Sequence, residues 1–233
     1  MNARTDNGGD HDAAAGTAYD AGPYVPRRGG IDSLRRAAAS CRGCPLFAEA
    51  TQTVFGAGPP ESRLVLVGEQ PGDQEDRKGE PFVGPAGALL RKALNEAGID
   101  DEPVYFTNAV KHFKFTVAEH GKRRIHKAPN LREMKACRPW LAAELRLIEP
   151  ELVVVLGGTA GKALLGSSFR VNEQRGVLRP MPAPDALGED AAEPGHAQLL
   201  ATVHPSAVLR ATDRESAYQG LLADLRVAAT ALG

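Results

Sequence analysis

Three cysteines are the residues of this sequence that most clearly suit metal chemistry. Cys41 and Cys44 form a CxxC pair, and Cys137 lies far downstream. A soft metal centre prefers four ligands, and a histidine is the natural fourth beside three cysteines. The candidates in the sequence are His112, His120 and His126. The cysteines could instead be buried without a ligand, or bind structural zinc, and their spacing leaves these alternatives open.

A second group of reactive side chains follows short apolar runs. Glu69 and Asp73 come after the first run and suit general-base or charge-stabilising work. Asn108 ends the second run, His204 ends the last, and Phe82 lies in a loop where its ring could stack on a planar ligand. Each of these residues alone is weak evidence for a site; a single histidine at the end of a strand, for example, is often structural. Together they predict one cleft.

Residues 111–127 are the most basic stretch of the chain, and Phe113 and Phe115 interleave with its first half. Basic side chains attract phosphate groups, and aromatic rings offer stacking surfaces for unpaired bases. The stretch therefore indicates contact with nucleic acid, preferably single-stranded. The alternative is a solvated loop whose charges have no partner.

The elements that must position these residues alternate between strands and helices. The apolar runs lack polar alternation, which is typical of strands covered on both faces, and they occupy residues 63–68, 104–110, 152–157 and 199–204. Strands alternating with helices predict an α/β fold: three layers, α/β/α, around a central, mainly parallel four-stranded sheet. In such a sheet the site lies beyond the carboxyl ends of the strands.

Three helices have recognisable ends. The segment 85–98 begins with Pro85 and ends with Gly98, the usual asymmetry of a helix. Asn130 and Glu133 predict a capping box before a helix that runs towards residue 148. A further short helix is predicted over 160–165, with Thr159 as its cap. Residues 171–198 are irregular and rich in proline, and we assign them no role.

Composition and charge limit the class of protein and the number of domains. The 233 residues carry a net charge of -1, which argues against a histone-like or wholly basic binding protein. They are 42% hydrophobic, which is enough apolar material for one globular core. Residues 1–30 are rich in Gly, Ala and Asp, so we expect a disordered tail followed by a single domain over 31–233. No membrane span or secretory signal is visible, so we expect a cytoplasmic protein. A monomer is the default expectation.

These residues together resemble the uracil-DNA glycosylase superfamily, and most closely its iron–sulfur branch. The motifs that carry the resemblance are Gly-Glu-Gln-Pro-Gly at 68–72, Pro-Phe-Val-Gly-Pro-Ala-Gly at 81–87, Thr-Asn-Ala-Val-Lys at 107–111 and His-Pro-Ser-Ala-Val-Leu-Arg at 204–210. They occur in the family's order, and the similar region runs from about residue 41 to 225. The resemblance implies a glycosylase that removes uracil from DNA.

Two departures from common iron–sulfur members narrow the resemblance. Gln70 stands where those proteins have a small residue, and His112 stands where they have cysteine. The insertion Lys-Arg-Arg-Ile-His at 122–126 is a third difference. All three features are similar to the UdgX subgroup, whose members excise uracil and remain covalently attached to the DNA.

The resemblance also implies roles for individual residues. A [4Fe-4S] cluster would be held by Cys41, Cys44, His112 and Cys137, and His126 would become attached to the sugar. Glu69 would orient the His126 ring, and His204 would donate a hydrogen bond to a uracil carbonyl. The residues expected to contact the substrate are Gln70, Asp73, Phe82, Asn108 and Arg210.

Three other interpretations stay open at this stage. The protein could be a conventional multi-turnover uracil-DNA glycosylase in which His126 only assists. It could be a catalytically silent binder of damaged or single-stranded DNA. It could also be an unrelated α/β domain with a zinc site.

Overall fold

The computed structural model describes residues 19–99, 103–118, 123–189 and 194–233. Within these ranges the chain forms strands β1 (Leu64–Gly68), β2 (Val104–Asn108), β3 (Phe115–Val117), β4 (Arg124–His126), β5 (Leu152–Leu156), β6 (Arg179–Pro182) and β7 (Pro194–Thr202). Five of them form a sheet in the order β2-β1-β5-β7-β6, and β3 pairs with β4 in a separate hairpin.

The central sheet is mainly parallel, as the sequence predicts. β1 pairs in parallel with β2 and β5, and β5 pairs in parallel with β7. The four predicted strands are confirmed, but the sheet has a fifth strand, β6, which pairs antiparallel with β7 and lies within the segment 171–198. Its residues Pro180 and Pro182 cannot donate ladder hydrogen bonds, so the strand is restricted to an edge and gives little strand signal in the sequence.

Helices connect the strands. They are α1 (Ile31–Ala38), α2 (Asp73–Lys78), α3 (Pro85–Ala97), α4 (Leu131–Ile148), α5 (Gly157–Leu165), α6 (Val171–Gln174), α7 (Pro205–Arg210) and α8 (Arg214–Leu232). The predicted capping box of α4 is confirmed. The predicted Thr159 cap of α5 is wrong, because the helix begins at Gly157, two residues before Thr159. At Gly157 a φ of +87° turns the chain directly from β5 into the helix.

Alternate residues of the buried strands face two different helical layers. Val65 and Val67 of β1 pack in a core formed with α1, α4 and α5. Leu64 and Leu66 pack in the other core, with α3 and α8. Burying a side chain of this size stabilises the fold by about 1.5–3 kcal/mol. The three-layer arrangement therefore follows from strands that are apolar on both faces.

The N-terminal region differs from the sequence prediction. Residues 1–18 of the expected tail lie outside the described residues, but Tyr19, Ala21, Tyr24 and Val25 pack on the domain. The Ala21 N–H donates to the Ala136 carbonyl of α4 at 2.9 Å, and the Ala21 side chain is buried. Gly43 permits this contact, because a Cβ there would lie 2.6 Å from the Ala21 Cα. Backbone contacts of this kind leave no trace in composition.

Among the described helices, none has the length and apolar character needed to cross a membrane.

Candidate active site

The carboxyl ends of β1, β2, β5 and β7 border a cleft of about 510 Å³. Residues from each strand end line it, as expected for a parallel α/β sheet. With the exception of Asp73, all the predicted catalytic and substrate-binding residues are in its lining: Glu69, Gln70, Phe82, Asn108, His126, His204 and Arg210.

Asn108 lies at the base of the cleft, at the end of β2. Asn108 is only 3% exposed, yet no described residue forms a hydrogen bond with its side-chain amide. Gly68 gives the amide its space, since a Cβ at that position would lie 2.3 Å from Asn108 Oδ1. An amide that lines a cleft without a protein partner is available to a ligand that presents a complementary donor and acceptor.

Phe82 lies on the wall of the cleft in a strained conformation. Its φ of 57° falls in the left-handed region, which costs on the order of 1–3 kcal/mol for a residue other than glycine. Its ring lies 6.4 Å from the His204 ring, with 27° between the two planes. Gly87 makes room for this turn, because a Cβ there would lie 1.8 Å from the Phe82 carbonyl oxygen.

His204 faces the cleft as a neutral ring. Burial, with the nearby Arg210 charge, lowers the pKa of His204 to about 4. The Ser206 backbone N–H donates to Nδ1 at 3.1 Å, so Nδ1 is the unprotonated nitrogen. The proton of the neutral ring therefore sits on Nε2, which has no described hydrogen-bond partner. His204 can thus donate one hydrogen bond to a ligand in the cleft.

The hairpin of β3 and β4 carries His126 to the opposite wall of the cleft. His126 pairs with Phe115 across the hairpin and is half-exposed, with 50% of its side chain accessible. Its Nε2 lies 3.3 Å from Glu69 Oε1. That carboxylate oxygen is buried and has no well-aligned hydrogen bond to another described residue. The two side chains are therefore placed to share a proton or to balance a charge on the imidazole.

Gln70 lines the cleft and also bonds to the hairpin through its side-chain amide. Its Nε2 donates to the carbonyls of Lys114 and Lys127, at 3.1 and 2.9 Å, and its Oε1 accepts from the Lys114 N–H. Because the amide is occupied by the backbone on both sides of the hairpin, it has little capacity left for a substrate. In the structure Gln70 holds the base of the hairpin that carries His126, and its contact with substrate stays a prediction.

Asp73 also serves the hairpin rather than the cleft. Its carboxylate pairs with Arg124 of β4 and with Arg77, at 2.9 Å for the latter. The Arg77 hydrogen bond is the main cause of a lowered pKa at Asp73. Asp73 is absent from the residues that line the cleft, and its charge pairs with a strand that is distant in sequence. Its contact with substrate stays a prediction.

The two phenylalanines of the basic stretch do not form an open stacking surface. Phe113 is 2% exposed and stacks on Phe115, with ring centroids 5.1 Å apart. The Arg124 guanidinium covers both rings, at 5.3 and 4.9 Å from their centroids. The rings thus support the hairpin, and the aromatic argument for unpaired bases is lost. His120, a candidate ligand, lies outside the described residues.

Comparison with known proteins agrees with this arrangement. The family described as the uracil DNA glycosylase superfamily matches residues 55–226. This chain belongs to the uracil-DNA glycosylase superfamily. It is 36% identical over 176 residues to a type-4 uracil-DNA glycosylase of Thermotoga maritima, covering 75% of this chain and 81% of that protein.

Two further relatives have similar coverage. A type-4 uracil-DNA glycosylase of Pyrobaculum aerophilum is 31% identical, over 83% of this chain and 91% of its own length. A type-5 uracil-DNA glycosylase of Thermus thermophilus is 34% identical, over 71% of this chain and 73% of its own. The superfamily likeness thus spans most of the folded domain.

In this superfamily member the three cysteines are all buried and free. Trp140 Nε1 donates to Cys41 Sγ, and the Lys111 backbone N–H donates to Cys137 Sγ, each at 3.3 Å. Burial raises the pKa of Cys137 to about 12 and also raises that of Cys44. Buried thiols with N–H donors aimed at sulfur suit a metal centre, because bound iron would supply the positive charge that thiolates need.

The fourth predicted ligand, His112, is held in a defined tautomer. Thr53 Oγ1 donates its proton to the Ala38 carbonyl at 2.9 Å and lies 2.9 Å from His112 Nε2. The hydroxyl has no second proton to give, so His112 Nε2 is the donor and Nδ1 keeps a free lone pair. In the described part of the chain, no three Cys, His, Asp or Glu side chains converge closely enough for a single metal ion. The cluster and the zinc alternative therefore both stay predictions.

Some residues that support or line the cleft belong to no motif recognisable in the sequence. Glu75 accepts from the backbone N–H groups of Gly72 and Gly84, at 3.1 and 2.8 Å, and so joins the first motif to the Phe82 loop. A glycine at the N-cap hides this capping box from a search for polar caps. Gly157 and Gly158 also line the cleft, and at Gly157 a Cβ would lie 2.9 Å from the His204 Cβ.

Proposed function

We propose that this protein excises uracil from DNA and becomes attached, through His126, to the sugar that remains. The observation that carries the proposal is the pairing of His126 with Glu69, 3.3 Å apart, on the wall of a cleft that also holds Asn108, Phe82 and His204. A base-recognition pocket and a nucleophile thus share one cavity.

Recognition of the base rests on Asn108 and Phe82. A base in a duplex is inaccessible, so the nucleotide must be turned out of the stack or taken from a single strand. The free amide of Asn108 can pair with the uracil edge, while the amino group of cytosine would present a donor in place of a carbonyl. A good bidentate contact discriminates by about 1–3 kcal/mol. The strained backbone at Phe82 aims its ring at the plane of the base.

Departure of the base is assisted by His204. As the N-glycosidic bond breaks, its electron pair moves to uracil and positive charge builds on the sugar. His204 Nε2–H donates to a uracil carbonyl and stabilises the negative charge. A preorganised donor of this kind typically contributes about 10²–10³ in rate.

The sugar cation is captured by His126. An unprotonated ring nitrogen gives its lone pair to the anomeric carbon, so that a nitrogen–carbon bond replaces the bond to uracil. The imidazole becomes an imidazolium, and the Glu69 carboxylate offsets the new charge. Gln70 and Asp73 contribute by holding the hairpin. After attachment His126 blocks the path of water, and turnover stops.

A conventional glycosylase is the second candidate, and the exposure of His126 favours it. Half of that side chain is open to solvent, which leaves space for water to reach the sugar. In that case Glu69 would orient water, and product would be released repeatedly. A silent binder of damaged DNA, the third candidate, would release no uracil.

We further propose that Cys41, Cys44, His112 and Cys137 hold a [4Fe-4S] cluster. When bound, the cluster supplies a structural cross-link between segments distant in sequence. Iron and sulfide analysis, together with the visible absorbance of purified protein, tests this proposal. Four irons per chain with a broad visible band support it, whereas colourless protein with one zinc per chain contradicts it.

The DNA is expected to approach along the hairpin and Arg210. Arg123 and Lys127 have exposed side chains without an ion pair to any described residue, and so can bind phosphates. Preference for a single strand stays a prediction, to be checked by comparing uracil release from matched single- and double-stranded oligonucleotides. The cytoplasmic location and the monomeric state stay predictions as well.

The number of uracils released per protein molecule tests the proposed function. Protein is mixed with a large excess of a uracil-containing oligonucleotide, and free uracil is measured over time. Trapping predicts release that stops near one uracil per active chain. Continued release indicates the conventional enzyme, and no release by cluster-loaded protein would refute glycosylase activity.

A further inference from the structure

A fully buried ion pair lies directly beneath the cleft. Lys111 Nζ and Glu144 Oε2 are 2.5 Å apart, and their side chains are 1% and 0% exposed. Removing two charges from water is costly, and such a pair persists only where its remaining hydrogen-bonding groups are satisfied. The pair therefore needs a reason beyond stability, since apolar residues fill a core at lower cost.

Every donor of the Lys111 ammonium is used. Besides Glu144, it donates to the Thr107 hydroxyl at 2.6 Å and to the Asn108 main-chain carbonyl at 2.8 Å. The carboxylate is equally occupied, because it accepts from Tyr105 Oη at 3.0 Å and from the Gly56 N–H at 3.2 Å. Burial raises the pKa of Tyr105, so its hydroxyl stays a donor. Both charged groups therefore have several hydrogen-bond partners within the network.

The network joins the two functional regions of the molecule. Lys111 holds the carbonyl of Asn108, whose side chain is the free amide of the cleft. The Lys111 backbone N–H donates to Cys137 Sγ, and the next residue is His112. Between these points the N–H groups of Ala109 and Val110 donate to the carbonyls of Gly68 and Glu69, at 2.9 and 3.0 Å.

We propose that Lys111, held by Glu144, is a positioning residue for base recognition. By fixing the Asn108 carbonyl, Lys111 sets the direction of the Asn108 side-chain amide towards the base. Its own backbone N–H, which donates to Cys137 Sγ, links Asn108 to the cysteines. This inference rests on the proposed function, since it deepens the role of Asn108 in reading uracil. Recognition groups must be held to within about 0.5 Å, which a saturated buried network achieves.

Two variants separate positioning from simple stability. Lys111→Met leaves the Glu144 charge buried and unpaired, so unfolding in urea should occur at a lower denaturant concentration. The double variant Lys111→Met/Glu144→Gln removes both charges, while the Gln amide can still accept from Tyr105 and Gly56. We expect the double variant to recover most of the lost stability and its iron content.

Positioning predicts that recovered stability does not restore activity. In the double variant the Asn108 carbonyl lacks its donor, and we expect uracil release to be about 10- to 100-fold slower, with the loss in the rate at saturating DNA. Wild-type release by the stable double variant would overturn the proposal. The control is Lys92→Met/Glu96→Gln, which removes an exposed pair on α3 and should leave the rate unchanged.

Hydrogen exchange gives a readout that does not depend on excision. In the double variant the amides of Ala109 and Val110 should exchange faster than in wild type, while those of β5 remain unchanged. Unchanged exchange at these two amides would overturn the proposal even if activity fell. If wild-type protein releases no uracil, the proposed function fails, and the exchange result still decides whether Lys111 holds the turn.

A milder variant covers failure of the double variant to fold. Thr107→Val has the same shape but removes the hydroxyl that lies between Lys111 and Glu144. It should slow uracil release and speed exchange at Ala109 and Val110. Wild-type values for both would contradict the proposal.

Discussion

Burial decides the chemistry of His204. Its surroundings favour the neutral ring, and the Ser206 N–H fixes the proton on Nε2, so the side chain donates a hydrogen bond without carrying a charge. A neutral donor suits a site that also lies near Arg210 and His126, because a further positive charge would be repelled there. The motif His-Pro-Ser thus provides both the donor and the group that orients it.

The low pKa of His204 predicts a pH-dependent stability. Unfolded histidine titrates near pH 6.5, whereas folded His204 titrates at about 4. As the pH falls from about 6.5 to 4 the unfolded chain takes up a proton that the folded chain refuses, so the free energy of unfolding falls, by up to about 3 kcal/mol. Urea unfolding at pH 7, 6 and 5 should show this loss in wild type, and less of it in His204→Asn.

The exposed His196 provides the control for that measurement. His196→Asn should keep the wild-type dependence on pH, because its side chain is open to solvent. Equal pH slopes for wild type and His204→Asn would contradict the assignment of a buried neutral ring.

Position in the sheet explains which site residues could be predicted. Asn108 and His204 follow apolar runs, and parallel strands bring such positions to one edge. The roles of Gln70 and Asp73 could not be predicted in the same way. Gln70 contacts the backbone of the hairpin and Asp73 contacts Arg124, and both partners are distant in the sequence. No local sequence pattern predicts contacts of that kind.

At the level of elements, the strands and helix caps were the predictable part. Continuous Val and Leu runs identified four strands, and the Asn130–Glu133 pair identified the start of α4. The edge strand β6 was not predicted, because its prolines are typical of loops. The start of α5 was not predicted either, because the turn at Gly157 depends on contact with His204. A Cβ at Gly157 would lie 2.9 Å from the His204 Cβ.

The Phe82 loop should be sensitive to one added methyl group. In Gly87→Ala the new Cβ would meet the Phe82 carbonyl oxygen at 1.8 Å, which forces the loop away from α3. We expect a loss of about 1–3 kcal/mol in the free energy of unfolding, measured in urea, together with weaker uracil release. Gly158→Ala, whose Cβ would lie 3.9 Å from Val171 Cγ1, should unfold like wild type. Equal stabilities for the two variants would contradict the proposed fit of the loop.

At the level of the whole molecule, the four expected cluster ligands join separate parts of the chain. Cys41 and Cys44 belong to the N-terminal segment, His112 follows β2, and Cys137 lies on α4. The sequence supplied the ligand types and the resemblance supplied the set. Neither could show that Thr53 would orient His112, because that contact exists only after folding.

Removal of iron should therefore loosen the N-terminal segment first. After oxidation and chelation we expect loss of visible absorbance, a lower melting temperature and rapid proteolysis within residues 19–50. The central sheet should resist longer, because both its faces are covered by helices. An unchanged melting temperature and digestion pattern would show that no cluster holds these segments together.

Covalent attachment through His126 is the central claim, and a denaturing gel tests it most directly. Protein is incubated with a uracil-containing single-stranded oligonucleotide, heated in detergent and separated by size. We predict a band shifted by the mass of the oligonucleotide for wild type, and no such band for His126→Ala. A shifted band that persists in His126→Ala, or free abasic DNA without any shifted wild-type band, would contradict the account.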